Sequence, residues 1–175
     1  MPGDLVLTTD RLVLRRFTRE DDAFILELLN EPGWLRWIGD RNVHSLEDAR
    51  GYLERGPLKL YADLGFGFYR VELASDGSPI GMCGLIQRAG LDDVDIGFSL
   101  LARCHGHGYA FEAAARVVRH AREDLGLVRL VAIVVAANER SVRLLKKLGM
   151  RYERVVRLPK DPEELHLYGM ALVAP

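Results

Sequence analysis

In four parts of the chain, apolar residues recur at intervals of three and four positions, the pattern of helices with one buried face. The most regular stretch places Phe111, Ala114, Ala115, Val118 and Ala121 on one face. Two of the helices begin at hydroxyl residues that precede acidic positions, as N-cap residues do. The spacing therefore predicts four helices, over 18–29, 45–55, 108–124 and 138–148.

Seven shorter runs are bounded by turn residues and predict strands. They are Leu12–Phe17, Gly67–Leu73, Ile80–Gln87, Val94–Leu100, Leu130–Val135, Tyr152–Leu158 and Leu165–Val173. Turns at 75–78 and 89–92 join three of them into an antiparallel meander. The run over 130–135 is apolar throughout, as in a strand buried on both faces. The order β-α-α-β-β-β-α-β-α-β-β predicts one mixed α/β or α+β domain over residues 1–175.

Composition narrows the class of protein. A chain of 175 residues with 49% hydrophobic and 28% charged residues is typical of one globular domain. A net charge of -1 argues against nucleic acid as a partner. The two cysteines are too few for a disulfide framework, and we see no signal peptide or apolar run long enough to span a membrane. We expect a cytoplasmic protein without a membrane partner.

The loop from Arg103 to Ala110 is the strongest chemical signal. It lies between a predicted strand and a predicted helix and contains Gly106-x-Gly108. Glycines at the N-terminus of a helix expose backbone N–H groups that bind phosphate or pyrophosphate. The pattern is neither a P-loop nor the dinucleotide fingerprint. The alternative is a flexible connection between strand and helix.

Further motifs give this loop a family context. Arg103-x-x-Gly106-x-Gly108 precedes the string N-x-x-S-x-x-L-x-x-K-L-G-M, which begins at Asn138. The chain also contains T-D-R-L-V-L-R from Thr9, G-M-C-G-L from Gly81 and L-Y-G-M from Leu167. In this order the motifs resemble the GNAT superfamily of acetyl-CoA-dependent N-acetyltransferases, and within it the RimJ/RimL-like branch of ribosomal-protein N-terminal acetyltransferases.

The resemblance implies a fold and a cofactor site. The fold is a central twisted mixed sheet of about seven strands with four helices, splayed between the fourth strand, Val94–Leu100, and the fifth, Leu130–Val135. Acetyl-CoA would be the co-substrate, with its pantetheine arm in the gap. Its pyrophosphate would lie on the backbone of Arg103, Cys104, His105, Gly106, His107, Gly108, Tyr109 and Ala110. Asn138 would contact the pantetheine, or would simply be a helix N-cap.

The resemblance also implies candidates for the chemistry. Many family members have a tyrosine seven residues after this asparagine, but this chain has Leu145 there. Ser141 would then donate to the leaving thiolate, unless it bonds only within its helix. Amides around Leu100 and Leu101 would stabilise the oxyanion. Asp95 or Glu112 would be the general base, although Glu112 also suits the first turn of a helix.

The acceptor cleft and the overall activity complete these expectations. Trp34, Trp37 and Tyr168 either line a substrate cleft or pack in the core. Cys104, His105 and His107 lack further ligands at metal-binding spacing, so we expect no metal. The interpretation is an enzyme that acetylates a primary amine, either a protein N-terminus or a small amine, and that forms a possible homodimer. The alternative is a non-catalytic acyl-CoA-binding module, which the leucine in place of tyrosine favours.

Overall fold

The computed structural model describes residues 3–173, which form one eight-stranded sheet. Its strands in chain order are β1 Leu5–Thr8, β2 Leu12–Arg16, β3 Phe68–Leu73, β4 Pro79–Ile86, β5 Asp95–Leu100, β6 Arg129–Val134, β7 Arg151–Val156 and β8 Leu165–Ala171. Their order across the sheet is β1-β2-β3-β4-β5-β6-β8-β7. All neighbours are antiparallel except β5 and β6, which are parallel. The fold class is therefore the mixed α/β fold that the sequence predicts.

Six α-helical segments surround this sheet: α1 Asp22–Leu29, α2 Pro32–Trp37, α3 Leu46–Leu53, α4 Lys59–Leu64, α5 Tyr109–Glu123 and α6 Glu139–Lys147. A π-helical turn, Glu54–Leu58, joins α3 to α4 in one continuous run, so the helical units are five. Short 3-10 turns lie at Arg19–Asp21 and Ala102–Cys104. None of the helices within residues 3–173 is both long and apolar enough to cross a membrane.

The predicted counts of about seven strands and four helices need correction at three places. β1 is an additional edge strand of four residues that the sequence pattern did not reveal, because its Leu5 is exposed. Pro32 ends the first predicted helix but also starts α2, because proline is tolerated at the first helical position. The second predicted helix continues beyond Arg55, since the π turn accommodates Pro57, which lacks an N–H group.

Helices cover the two faces of the sheet separately. α5 and α6 cover one face, where Val117 and Leu145 pack with Tyr69 and Leu85 of the sheet. The helices α1 to α3 cover the other face, where Trp34 joins the cluster. Each face buries apolar side chains from alternate positions of the strands. A side chain can therefore be assigned to one face from its neighbours across the sheet.

The sheet opens between β5 and β6, as the sequence resemblance implied. One residue pair, Asp95 with Val131, is in register between the two strands. There the Val131 N–H donates to the Val94 carbonyl at 3.0 Å. Toward Leu100 and Val134 the strands have no paired residues. The gap is thus closed at Asp95 and open at the loop that follows β5.

Candidate active site

Two glycines shape the loop between β5 and α5. Gly106 has a φ of 82° and Gly108 a φ of 80°, values that residues with a side chain rarely adopt. A Cβ atom at Gly106 would meet no protein atom within 4 Å. At Gly108 the nearest would be Arg11 Nη2, at 3.5 Å. Packing within the protein therefore does not require glycine at these positions, whereas the positive φ angles favour it.

Several amide N–H groups of this loop are not used by the fold and are available to an anion. The Cys104 and His105 amides donate to the carbonyls of Leu101 and Ala102 at 2.9 and 3.1 Å. In contrast, the amides of residues 106–110 have no hydrogen-bond acceptor in the part of the chain that the structure describes. These five N–H groups, which we call the amide cradle, lie at the positive end of the α5 dipole. Of the backbone predicted to hold a pyrophosphate, the amides of residues 106–110 are therefore the ones available as donors.

Arg103 is directed elsewhere. Its guanidinium forms an ion pair with Glu27 on α1, and both side chains are largely exposed. The sequence analysis placed the backbone of Arg103 in the phosphate loop, and in the structure its side chain joins that loop to α1. Cys104 also has a packing role, since it contacts both core clusters. Partial burial raises the pKa of its thiol, which therefore stays protonated at neutral pH.

The two loop histidines have different surroundings. His105 Nε2 lies 3.0 Å from the Leu100 carbonyl, and its Nδ1 contacts the Arg140 guanidinium on α6. Because arginine only donates, this pairing assigns the Nδ1 lone pair to Arg140 and the proton to Nε2. His107 is exposed, and its ring stacks on Tyr109 with 5.4 Å between centroids. Arg140 was not among the sequence candidates.

The oxyanion donors expected at the end of β5 need one correction. The Leu101 N–H donates to the Ile80 carbonyl at 2.8 Å, so it is already used in the fold. Leu101 is fully buried, and Leu100 is 8% exposed. The sequence places residues correctly along a strand, but it does not show which amides of that strand are already paired.

Asp95 lies at the closed end of the gap. Its side chain is 1% exposed and forms an ion pair with Arg88. Its Oδ1 has no hydrogen-bond partner among the described residues. Burial raises the pKa of Asp95 to about 6, although Arg88 and the nearby Ile133 amide favour the ionised form. A buried carboxyl with a pKa near neutrality is suited to accept a proton.

Glu112 has the opposite environment. Thr9 Oγ1 donates to its carboxylate at 2.6 Å, and Arg11 donates to it from its backbone N and from Nε, at 3.1 and 2.7 Å. Partial burial is the largest single influence and raises the pKa of Glu112. The hydrogen bonds from Thr9 and Arg11 together outweigh it, so the pKa lies below its ordinary value. The carboxylate is fully bonded and weakly basic, which argues against the predicted base role.

Asn138 and Ser141 begin α6 at the open end of the gap. Asn138 Oδ1 accepts the Ser141 N–H at 3.3 Å, so the asparagine is an N-cap. The Ser141 hydroxyl is partly buried and has no hydrogen-bond partner within residues 3–173. Leu145, where many family members have tyrosine, is 1% exposed and packs in the core. Ser141 thus remains the available hydroxyl on this part of α6.

The three aromatic residues predicted for the acceptor cleft do not share one face. Asp95 pairs with Ile86, which packs in the same cluster as Trp34, so Asp95 and Trp34 face the same side. Trp34 is 5% exposed, and its Nε1 lacks a partner among the described residues. Trp37 is half-buried, with the Arg36 guanidinium 4.4 Å from its ring centroid. Tyr168 is buried on the opposite face, under α5 and α6, and therefore belongs to the core.

No group of three His, Cys, Asp or Glu side chains within residues 3–173 could hold a metal ion. Residues 11–151 match the family described as acetyltransferase (GNAT) domain. The chain belongs to the GNAT acetyltransferases. As a GNAT enzyme it is an acyltransferase, and the co-substrate of the family is acetyl-CoA. The amide cradle and the open strand edges fit that molecule, because they offer donors for a pyrophosphate and backbone groups for an amide-bearing arm.

Known proteins resemble this GNAT chain over nearly their whole length. The uncharacterized N-acetyltransferase YoaA of Bacillus subtilis is 31% identical over 155 residues, covering 87% of this chain and 86% of that protein. An acetyltransferase from Agrobacterium tumefaciens has a TM-score of 0.79 at 26% identity, covering 94% and 92%. RimL, a ribosomal-protein α-N-acetyltransferase solved in complex with coenzyme A, has a TM-score of 0.81 at 16% identity, covering 96% and 98%, and shares the fold.

Proposed function

We propose that this GNAT enzyme acetylates a primary amine by direct transfer from acetyl-CoA. The observation that carries the proposal is the position of the amide cradle, residues 106–110, at the open end of the gap between β5 and β6. A pyrophosphate held there leaves the pantetheine arm beside two unpaired strand edges, which can bond its amides. The gap then leads toward Asp95, a buried acid at its closed end.

Asp95 is the proposed general base. It takes the proton of the acceptor ammonium, directly or through one water, and the neutral amine then attacks the thioester carbonyl. Its pKa of about 6 makes it mostly ionised at neutral pH and more basic than an exposed aspartate. Arg88 pairs with Oδ2, and the Ile133 amide also interacts with the carboxylate. The new C–N bond forms as the C–S bond breaks.

Ser141 is the proposed proton donor to the leaving thiolate. Its hydroxyl has no partner among the described residues, and its backbone N–H is fixed by the N-cap Asn138. It is therefore held in place without being used by the fold. A hydrogen bond to a developing thiolate lowers the energy of that leaving group. The serine regains its proton from the attacking nitrogen, which must lose one more proton to become an amide. The products are then an amide and free CoA, with Ser141 restored.

The acceptor is a protein N-terminus or a small amine. Curated relatives include uncharacterized N-acetyltransferases of Bacillus, and structural neighbours include a ribosomal-protein-serine acetyltransferase of Vibrio cholerae. The face that Asp95 shares with Trp34 is the face from which an amine would approach the gap. Exposed apolar side chains of α2 and its C-terminal end, Leu35 and Ile38, border this side and could contact an acceptor.

The test combines binding with turnover. Thermal unfolding is measured with acetyl-CoA, CoA, ATP and NAD, and release of CoA thiol is then followed with a panel of peptides and small amines. Stabilisation by the CoA compounds alone, with turnover on at least one amine, supports the proposal. Stabilisation without turnover on any acceptor would instead favour the acyl-CoA-binding module. No stabilisation by CoA compounds at millimolar concentration would overturn the proposal.

A further inference from the structure

The turn between β1 and β2 contacts the first turn of α5, although about a hundred residues separate them in the chain. Thr9 Oγ1 donates to Glu112 Oε1 at 2.6 Å, and the Arg11 backbone N–H donates to the same oxygen at 3.1 Å. Arg11 Nε and Nη2 donate to Glu112 Oε2 at 2.7 and 2.6 Å. Glu112 therefore receives two guanidinium nitrogens on Oε2 and two further donors on Oε1.

Arg11 also contacts the phosphate loop itself. Its Nη1 donates to the His107 carbonyl at 3.0 Å, and its guanidinium lies 4.6 Å from the centroid of the Tyr109 ring. In a trans peptide the C=O and the following N–H point in opposite directions. Because the His107 carbonyl points at Arg11, the Gly108 N–H points away from it. One arginine thus sets the direction of an amide in the cradle.

The same arginine balances a charge. Glu112 lies one turn from the amide cradle, where an unpaired carboxylate would repel a pyrophosphate. Arg11 is about half exposed, while the Glu112 side chain is mostly buried, at 19% exposure. The ion pair between Arg11 and Glu112 leaves the first turn of α5 nearly neutral. The electrostatic potential at the amide cradle is therefore determined by the helix dipole and the free amides.

We propose that Thr9, Arg11 and Glu112 form a clamp that positions the amide cradle for the pyrophosphate of acetyl-CoA. They are positioning residues and contact neither the thioester nor the amine. The clamp assigns Glu112 a role in cofactor affinity in place of proton transfer. The inference rests on the proposed function, since it concerns the binding of the same co-substrate.

The test is a double-mutant cycle on Arg11→Gln and Glu112→Gln. Calorimetry gives Kd for CoA, and steady-state kinetics gives KM for acetyl-CoA and kcat with a saturating amine. We expect Arg11→Gln to raise Kd and KM about tenfold with little change in kcat. The double variant should bind no more weakly than Arg11→Gln alone, because the repelling carboxylate is gone. The pH profile of Glu112→Gln should match that of the wild type.

Two further variants separate positioning from charge and from general damage. Arg11→Lys keeps a cation but reaches only one of the two partners, so we expect Kd to stay at least about threefold above wild type. Arg157→Gln removes a similar but exposed pair with Glu164, 2.6 Å apart, and should leave Kd unchanged. Circular dichroism confirms that each variant is folded. If Arg11→Gln does not fold, Arg11→Lys alone decides between positioning and charge.

Distinct results would overturn the clamp. Folded Arg11→Gln that binds CoA within twofold of wild type would refute it, as would full recovery of affinity in Arg11→Lys. A Glu112→Gln variant that loses kcat and the acidic limb of the pH profile would make Glu112 the base instead. Absence of CoA binding by the wild type would overturn the proposed function as well, so the two failures are distinguishable.

Discussion

Asp95 affects both the stability of the fold and the proposed proton transfer. The side chain is 1% exposed, and burial raises its pKa from 3.8 to about 6 even beside Arg88. A raised pKa means that the folded state binds the proton more tightly than the unfolded chain does. Ionisation of Asp95 therefore lowers the free energy of unfolding as pH rises from about 4 to about 6. Above pH 6 the free energy of unfolding stays at this lower value.

Asp95→Asn should separate stability from activity. A pKa raised from 3.8 to about 6 corresponds to about 3 kcal/mol, so the variant should be about 1–3 kcal/mol more stable than wild type at pH 8. The difference in stability should vanish near pH 4, where the side chain at position 95 is neutral in both folded proteins. Activity should fall about a hundredfold or more, because the base is lost. Urea unfolding at both pH values and kcat/KM measure the two effects.

The matched control for that variant is Asp93→Asn. Asp93 precedes the same strand but is 38% exposed and pairs with Arg129 at 2.9 Å. It should retain nearly all activity. Loss of activity in both variants, or an Asp95→Asn protein that is less stable at pH 8 than at pH 4 relative to wild type, would contradict the base assignment.

The pH dependence provides an independent prediction. With a peptide N-terminus as acceptor, kcat/KM of the wild type should rise with pH through two inflections. The one near 6 marks the ionisation of Asp95, and the other belongs to the acceptor amine. Asp95→Asn should lack this inflection while keeping the one that belongs to the amine. Initial rates from pH 5 to 9 at constant ionic strength measure both. An inflection near 6 that persists in the variant would assign it to another group.

For individual residues of the site, the sequence predicts some candidates but not the contacts that they make. The glycines at 106 and 108 were candidates because they lie between a predicted strand and a predicted helix, and Asp95 was a candidate through the family resemblance. Arg103 was a candidate from the sequence, and Arg11 was not. Only the folded structure pairs Arg103 with Glu27 and brings Arg11 to the His107 carbonyl. Contacts between residues far apart in the chain leave no periodic pattern to read.

At the scale of elements, the cradle joins a strand, a loop and a helix, and its glycines can be tested against a control. Gly106→Ala should raise Kd for CoA about tenfold or more, because a methyl group and a strained φ of 82° both disturb the cradle. Gly77→Ala changes a turn glycine with a φ of 74°, and a Cβ there also meets no atom within 4 Å. Both variants should lose similar stability, about 1 kcal/mol.

Comparing Kd and melting temperature in that pair separates the cradle from backbone strain. If Gly77→Ala weakened CoA binding as much as Gly106→Ala, the effect would come from destabilisation of the whole domain. If neither did, the loop would not hold the pyrophosphate. Only a loss confined to Gly106→Ala agrees with the site.

The long elements around the gap were the easiest to predict. β5, β6, α5 and α6 have regular periodicity and clear ends, such as the N-cap Asn138. β1 and the π turn were missed for physical reasons. A four-residue edge strand buries little, and the turn exists because Pro57 interrupts a helix that tertiary packing continues. The opening between β5 and β6 came from family resemblance, since no local pattern encodes the absence of pairing.

In the whole molecule, the gap divides the sheet into β1 to β5 and β6 to β8. One residue pair, Asp95 with Val131, links these parts within the sheet. The helices supply the other connection: α5 packs on β1, β2, β4 and β5, while α6 packs on β6 and α5. A ligand arm that bonds to both strand edges would add a further link between the two parts. Binding should therefore stabilise the sheet beyond the loop that holds the phosphates.

Hydrogen exchange with and without acetyl-CoA tests this coupling. At a hundred times its Kd the ligand adds about 2.7 kcal/mol, which should raise the midpoint of unfolding by about 5–11 °C. Those amides of β5 within 96–99 and of β6 within 132–134 that point into the gap should exchange more slowly, whereas the alternate amides already pair with β4 and β8. Amides of the edge strands β1 and β7 should change least. A raised midpoint with protection confined to residues 106–110 would mean that the phosphates bind while the arm stays outside the gap.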